Sequence, residues 1–340
     1  MSTRTNGEDA NLNPGNAGNI NISANQILLE DGAQLDSSTQ GIGNGGDIII
    51  QNANRIIMGN ESLSEPDENG RASITSQSGF EEADAGKAGN IIINTDNLEI
   101  KYASWIGAST KGGGDGGNIS INVANDFILN GYNYPKSSIV YTSSDSDQSY
   151  AGNAGNIIIN AKNLKLLNHS EVSTSAKHAG GGSISLGVDK MLYLSNSKIT
   201  SSVQKGDDNS GNINIYADQT LMNKSSIVAT AYEGNGGNIN INGNNFIQSS
   251  DSLIDASSKL GIDGKVDTIP PNVEFSSQLV QLPSNFLDAV HWLQTPCADR
   301  SSEDISRFII DTQIALPQLP DDLLPAPFYL SIIKVIRPYK

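Results

Sequence analysis

Cysteine is nearly missing from this chain. Cys297 stands alone, so no intrachain disulfide and no cysteine-based metal site can form. Histidine is scarce as well. His169, His178 and His291 lie far apart, no acid or nucleophile partner is read for them from the sequence, and no catalytic role is assigned to them. No run of about 18 apolar residues occurs, so nothing spans a bilayer as a helix. Positive charge is in deficit: 21 Lys and Arg stand against 37 Asp and Glu, for a net charge of −16 over 340 residues. The basic footprint of a nucleic-acid-binding protein is therefore absent, and anionic membrane surfaces would repel the chain. The opening MSTRTNGEDANLN has no apolar stretch and does not read as a signal peptide. No metal ligand set and no cofactor motif stands out.

What is present is repetition. The string Gly-(Asn/Asp/Ser)-Ile-x-(Ile/Leu) starts at Gly18, Gly46, Gly89, Gly117, Gly155, Gly182, Gly211 and Gly237. The intervals are 28, 43, 28, 38, 27, 29 and 26 residues; the two long ones read as the same period with insertions. Each unit carries three apolar pulses. The first is the string itself. The second is a short run such as Phe127-Ile128-Leu129 or Met191-Leu192-Tyr193-Leu194. The third is a Ser/Thr-rich stretch around one aliphatic, such as Ser197-Lys198-Ile199-Thr200-Ser201-Ser202. Alternation with period two, β-branched residues and Gly/Asn borders predict strands, and helical spacing is missing.

Three short strands per repeat predict an all-β fold, a right-handed parallel β-helix of about nine coils, each roughly 27 residues long and stacked at about 4.8 Å. Ile20, Ile48, Ile91, Ile119, Ile157, Ile184, Ile213 and Ile239 should form one stack, and the residues two later a second. Gly is expected to supply positive φ at the corners. Asn should tolerate that conformation too and pair with an Asn one rung away. Two G-x-G-x-x-G matches, at Gly41 and Gly112, are followed by strand-like residues and read as turns, not as a dinucleotide site.

The composition changes near residue 265. All 34 glycines lie at or before Gly264, and nine of the 12 prolines at or after Pro270. Residues 1–264 are assigned to the β-helix. Residues 265–340 are assigned to a Pro-rich C-terminal region with a short helix over 285–293, and 275–295 are expected to cap the last coil. Ser2-Thr3-Arg4-Thr5 aligns with the third strand of other units, so the chain opens in mid-rung. This predicts the C-terminal portion of a longer protein, with self-association through an open first coil.

The Gly-Asn-Ile-x-Ile coils resemble those of filamentous haemagglutinin-like exoproteins of the two-partner secretion class. The tail is similar to that of large cyanobacterial members: Leu282-Pro283, Cys297, Ser306-Arg307-Phe308-Ile309-Ile310, then Leu316-Pro317-x-x-Pro320-Asp321-x-Leu323. Family tails often carry Gly-Arg-Gly-Gly where this chain has Asp311-Thr312-Gln313-Ile314, and the family's N-terminal secretion domain is lacking. The resemblance implies a secreted or cell-surface adhesive rod. It also implies an outer-membrane transporter as partner of the full-length protein, and glycans or cell surfaces as further partners.

The alternative is a β-helical polysaccharide lyase or hydrolase, or a carbohydrate-binding module. Such an enzyme needs paired carboxylates or grouped Asp, Arg and Lys on one outer face. The outward residues of the first strand are Asn21, Ile49, Ile92, Ser120, Ile158, Ser185, Asn214 and Asn240, none ionisable, and acids such as Glu171 are expected to lack a stacked basic neighbour. No catalytic residue is assigned. Asp145 and Asp147 read as a solvated loop. Candidate contacts are sought in the insertions. Tyr132, Tyr134, Tyr141 and Tyr150 surround a Pro-containing loop, and their rings suit stacking on sugars; the alternative is drift in loop length. Ile49 and Ile92 should be adjacent outward apolar residues, beside an acidic insertion formed by 61–68 and 81–84, and mark cover or a partner.

Overall fold

The computed structural model describes residues 1–5, 15–59, 71–131, 137–206 and 208–268. The chain divides into two units, Met1–Val273 and Glu274–Lys340. The second unit, with the expected helix and cap, lies outside the described residues, as does the 61–68 part of the acidic insertion.

Each rung begins at a Gly-(Asn/Asp/Ser)-Ile string. The first holds β1 (Ile20–Ser23), β2 (Gln26–Leu29) and β3 (Gln34–Asp36). The next three hold β4 (Ile48–Met58) and β5 (Ser73–Ser78), β6 (Ile91–Lys101) and β7 (Trp105–Thr110), and β8 (Ile119–Asn130) and β9 (Ile139–Ser144). Then come β10 (Ile157–Leu167) and β11 (Glu171–Ala176), β12 (Ile184–Ser195) and β13 (Lys198–Val203), and β14 (Ile213–Asn223) and β15 (Ser226–Ala231). The eighth holds β16 (Ile239–Asn242), β17 (Asn245–Gln248) and β18 (Leu253–Asp255), and β19 (Val266–Thr268) follows. The path β1-β4-β6-β8-β10-β12-β14-β16-β19 runs through one parallel sheet, with β2 beside β4 and β17 beside β14. A second parallel sheet runs from β3 to β18. This is a parallel β-helix of about eight turns. Bridges from Ser2 to Asp36 and Thr5 to Thr39 add the first residues to the second sheet, where their alignment placed them.

The expected stacks are present in register. Ile20, Ile48, Ile91, Ile119, Ile157, Ile184, Ile213 and Ile239 follow one another, each at most 2% exposed. Two residues on, Ile50, Ile93, Ile121, Ile159, Leu186, Ile215 and Ile241 are equally buried, while Ile22, expected to start this stack, is only half-buried on the first rung. Burial of one such side chain contributes about 1.5–3 kcal/mol, and no rung could collect it without its neighbours.

Two expectations are corrected. The first is three separate strands per coil. In the six middle rungs, the first two pulses form one strand of 11 or 12 residues, bent at a register shift such as Thr95/Leu98 or Val188/Met191. A bulge admits extra residues and turns the chain while pairing resumes on both sides, so the bend does not end the strand.

The second correction concerns glycine. Among the described glycines only Gly32, Gly59 and Gly206 have positive φ, and no motif glycine does; Asn52, Asn168 and Asn196 take that conformation, as expected of Asn, and so do Asp31, Tyr102, Ala103, His169 and Lys224. The motif glycines are needed because successive rungs touch. A Cβ on Gly117 would lie 1.9 Å from the carbonyl oxygen of Gly89, and one on Gly155 would lie 2.0 Å from that of Gly117. Two other motif carbonyls accept from inside: Ser76 Oγ donates to Gly46 O at 2.9 Å and Ser201 Oγ to Gly182 O at 3.0 Å. The buried hydroxyls of the third pulse therefore complete the turn beside them.

The residue after each motif glycine forms a ladder. Its side-chain oxygen accepts the backbone N–H of the equivalent residue in the next rung. The chain of acceptors is Asn19, Asp47, Asn90, Asn118, Asn156, Ser183, Asn212 and Asn238, with N···O distances from 2.7 to 3.2 Å. Asn, Asp and Ser share this position because each brings an acceptor oxygen.

Candidate functional site

The bend between the two halves of the long strands is concave. A groove of about 920 Å³ follows it, from Asn25 and Asn52 to Gly187 and Asp189. A second stretch of about 390 Å³ shares Gly187 and Asp189 and continues past Tyr216 to Asn242 and Asn244. Its floor is the column Ala53, Thr95, Val123, Ala161, Val188 and Ala217, in register and buried. Small or β-branched residues let the backbone draw inward there, which hollows the surface.

One wall is a column of residues three positions after the first motif isoleucine. Asn94, Asn122, Asn160, Gly187, Tyr216 and Asn242 are successive register partners. Asn122 Nδ2 donates to Asn94 Oδ1 at 2.9 Å, and Asn160 Nδ2 to Asn122 Oδ1 at 2.9 Å. The ladder stops at Gly187, where even a Cβ would lie 2.5 Å from Asn160 Oδ1. One rung further, Tyr216 is 55% exposed. Asp96, Asp189 and Asp218 also line the groove, and no described lining residue is Lys or Arg. This wall was missed in the sequence, where outward positions were read one residue after the isoleucine. The signal was an amide three residues after it.

The residues singled out earlier do not converge. Ile49 and Ile92 are register partners on adjacent rungs, half-buried, with Ile158 exposed further along the same column. The Tyr141 ring lies over Gly107, where a Cβ would meet it at 2.5 Å. Gln77 Nε2 donates to its hydroxyl at 3.4 Å, and burial, with the nearby charge of Asp145, pushes that hydroxyl above its ordinary range. Tyr150 sits in a turn, and its Oη donates to Glu81 O at 2.8 Å. Tyr132 and Tyr134 lie outside the described residues. Asp147 is bridged by Lys205 at 3.0 Å and Lys177 at 3.6 Å, so its loop is held by ion pairs across rungs.

Glu171 requires a correction. It was expected to have no stacked basic neighbour, yet its register partner on the next rung is Lys198. The two line a recess of about 230 Å³ with His169, Lys224 and Asp251. Burial raises the Glu171 carboxyl, and the Lys198 charge and a hydrogen bond from Ser173 offset this only in part. Residues 27 apart in sequence met because rung spacing, not local sequence, sets neighbours on this face. Among the described residues no group of three or more His, Cys, Asp and Glu could hold a metal ion. No family model, curated protein or solved structure matches this chain.

Proposed function

We propose that this chain is an adhesive or structural rod of the filamentous haemagglutinin-like kind, acting in secreted form or at the cell surface. It would hold glycans or other surfaces through uncharged polar faces, and the full-length protein would leave the cell through an outer-membrane transporter. The observation that carries the reading is the ladder from Asn19 to Lys265. It links every rung to the next without interruption, and the groove column presents the amides of Asn94, Asn122, Asn160 and Asn242. Such a body is stiff along its axis and repeats weak polar contacts, which suits multivalent attachment. The test couples the full chain to beads and measures attachment under flow to polysaccharide films and cell surfaces. Soluble plant and algal polysaccharides are assayed in parallel for new chain ends. Attachment without cleavage is expected, and cleavage would overturn the reading.

A second reading, a β-helical carbohydrate-active enzyme, is favoured by the recess at Glu171. A carboxyl raised by burial, beside Lys198 and His169, has the character of a proton donor. If it holds, any cleavage found should vanish in Glu171→Gln.

A further inference from the structure

On three successive rungs the wall of the groove carries the same amide, at Asn94, Asn122 and Asn160. Asn122 donates one of its two amide N–H groups to Asn94 and accepts one hydrogen bond from Asn160. One N–H and one lone pair remain on it, beside each other. A sugar hydroxyl is itself a donor and an acceptor, so such an amide can satisfy both of its needs. The rung spacing of about 4.8 Å sets the repeat of these paired groups, close to the rise of one hexose in an extended glycan. From Asn94 to Asn242 the column spans five steps, about 24 Å, enough for several sugars in a row. The one exposed ring on the column, Tyr216, follows the gap at Gly187, where no side chain obstructs approach to its face. An aromatic face with an amide on the next rung, here Asn242, meets a sugar's C–H face and its hydroxyl rim together. The charged lining is acidic, which disfavours anionic chains.

From these features we infer that the groove along the bend binds a single extended, neutral polysaccharide chain, laid along the solenoid axis, with one sugar ring on Tyr216. The inference rests on the reading of the chain as a binding rod, and names the face and the ligand class that reading leaves open.

The test uses the full chain and titration calorimetry with cello-, manno- and xylo-oligosaccharides, from disaccharide to hexasaccharide. At least one neutral series should bind saturably, with affinity rising about tenfold or more from two units to six. Tyr216→Ala should weaken the hexasaccharide about tenfold, Asn122→Leu should weaken it severalfold, and Ser185→Ala, outside the groove, should leave it unchanged. Both groove positions are solvent-facing, and circular dichroism confirms that each variant keeps its strands. No binding of any neutral hexasaccharide at about 1 mM would overturn the proposal. So would undiminished binding in the double variant that combines Tyr216→Ala with Asn122→Leu, or tighter binding of hexagalacturonate or a glucosamine hexamer. The bead assay separates the two claims. Equal attachment by wild type and double variant removes the groove and keeps the rod. Soluble hexasaccharide binding without bead attachment removes the rod and keeps the groove.

Discussion

The Oδ1 of Asn118 accepts the backbone N–H of Asn156 at 2.9 Å, although 38 residues separate them. Its own backbone N–H donates to Asn90 Oδ1 at 3.0 Å. One side chain thus seals a backbone group of the next rung, and its backbone is sealed by the last.

Asn118→Ala should therefore cost about 1 kcal/mol, because it leaves the Asn156 N–H without its acceptor. Asn118→Ser should cost less than half of that, since Ser183 fills the same place and accepts from Asn212 at 3.2 Å. Urea denaturation of the two variants checks the order.

Gly155→Ala should destabilise the solenoid by about 3 kcal/mol or more, because overpacking here is against backbone. The new Cβ would stand 2.0 Å from the Gly117 carbonyl oxygen, and that atom belongs to the rung below. Gly15→Ala, with nothing within 4 Å, should change stability by less than about 0.5 kcal/mol. Equal thermal midpoints for the two variants would refute the contact as the reason for glycine.

Ile157→Asp places a carboxylate in the fully buried mid-stack and should cost about 3–5 kcal/mol. Asn240→Asp lies on the outward column. It loses only the donation from Asn240 Nδ2 to Asn214 Oδ1 at 2.9 Å, for about 1 kcal/mol. Chemical denaturation should show the two midpoints well apart.

The raised Glu171 carboxyl gives a pH signature. Its folded-state pKa lies above the ordinary value of 4.5, so the folded protein holds this proton more tightly than the unfolded chain does. The cost of the ionised form is full above the folded pKa, shrinks as pH falls through it, and is gone below the ordinary value. Glu171→Gln should therefore be more stable than wild type near neutral pH, with the advantage disappearing in mild acid. A Glu171→Gln variant less stable than wild type near neutral pH, with the deficit vanishing in acid, would show that the Lys198 charge outweighs burial.

The period of the Gly-Asn-Ile string by itself determined that the chain builds parallel rungs, and alternation within each string determined which isoleucines face the core. Both follow from local rules, since every rung repeats the same side-chain period and the same stack. Tertiary structure alone decided why the glycines are glycine, because the obstruction at Gly117 is a carbonyl 28 residues earlier and not its own φ. It alone decided that the first two pulses fuse, since a bulge is defined by the partner strand. It alone put Lys198 beside Glu171 and set Asn94, Asn122, Asn160 and Tyr216 along one groove. Insertions vary the sequence interval between rungs, but stacking holds their spacing constant. Neighbours across rungs are therefore fixed by the pairing register, which linear spacing does not contain.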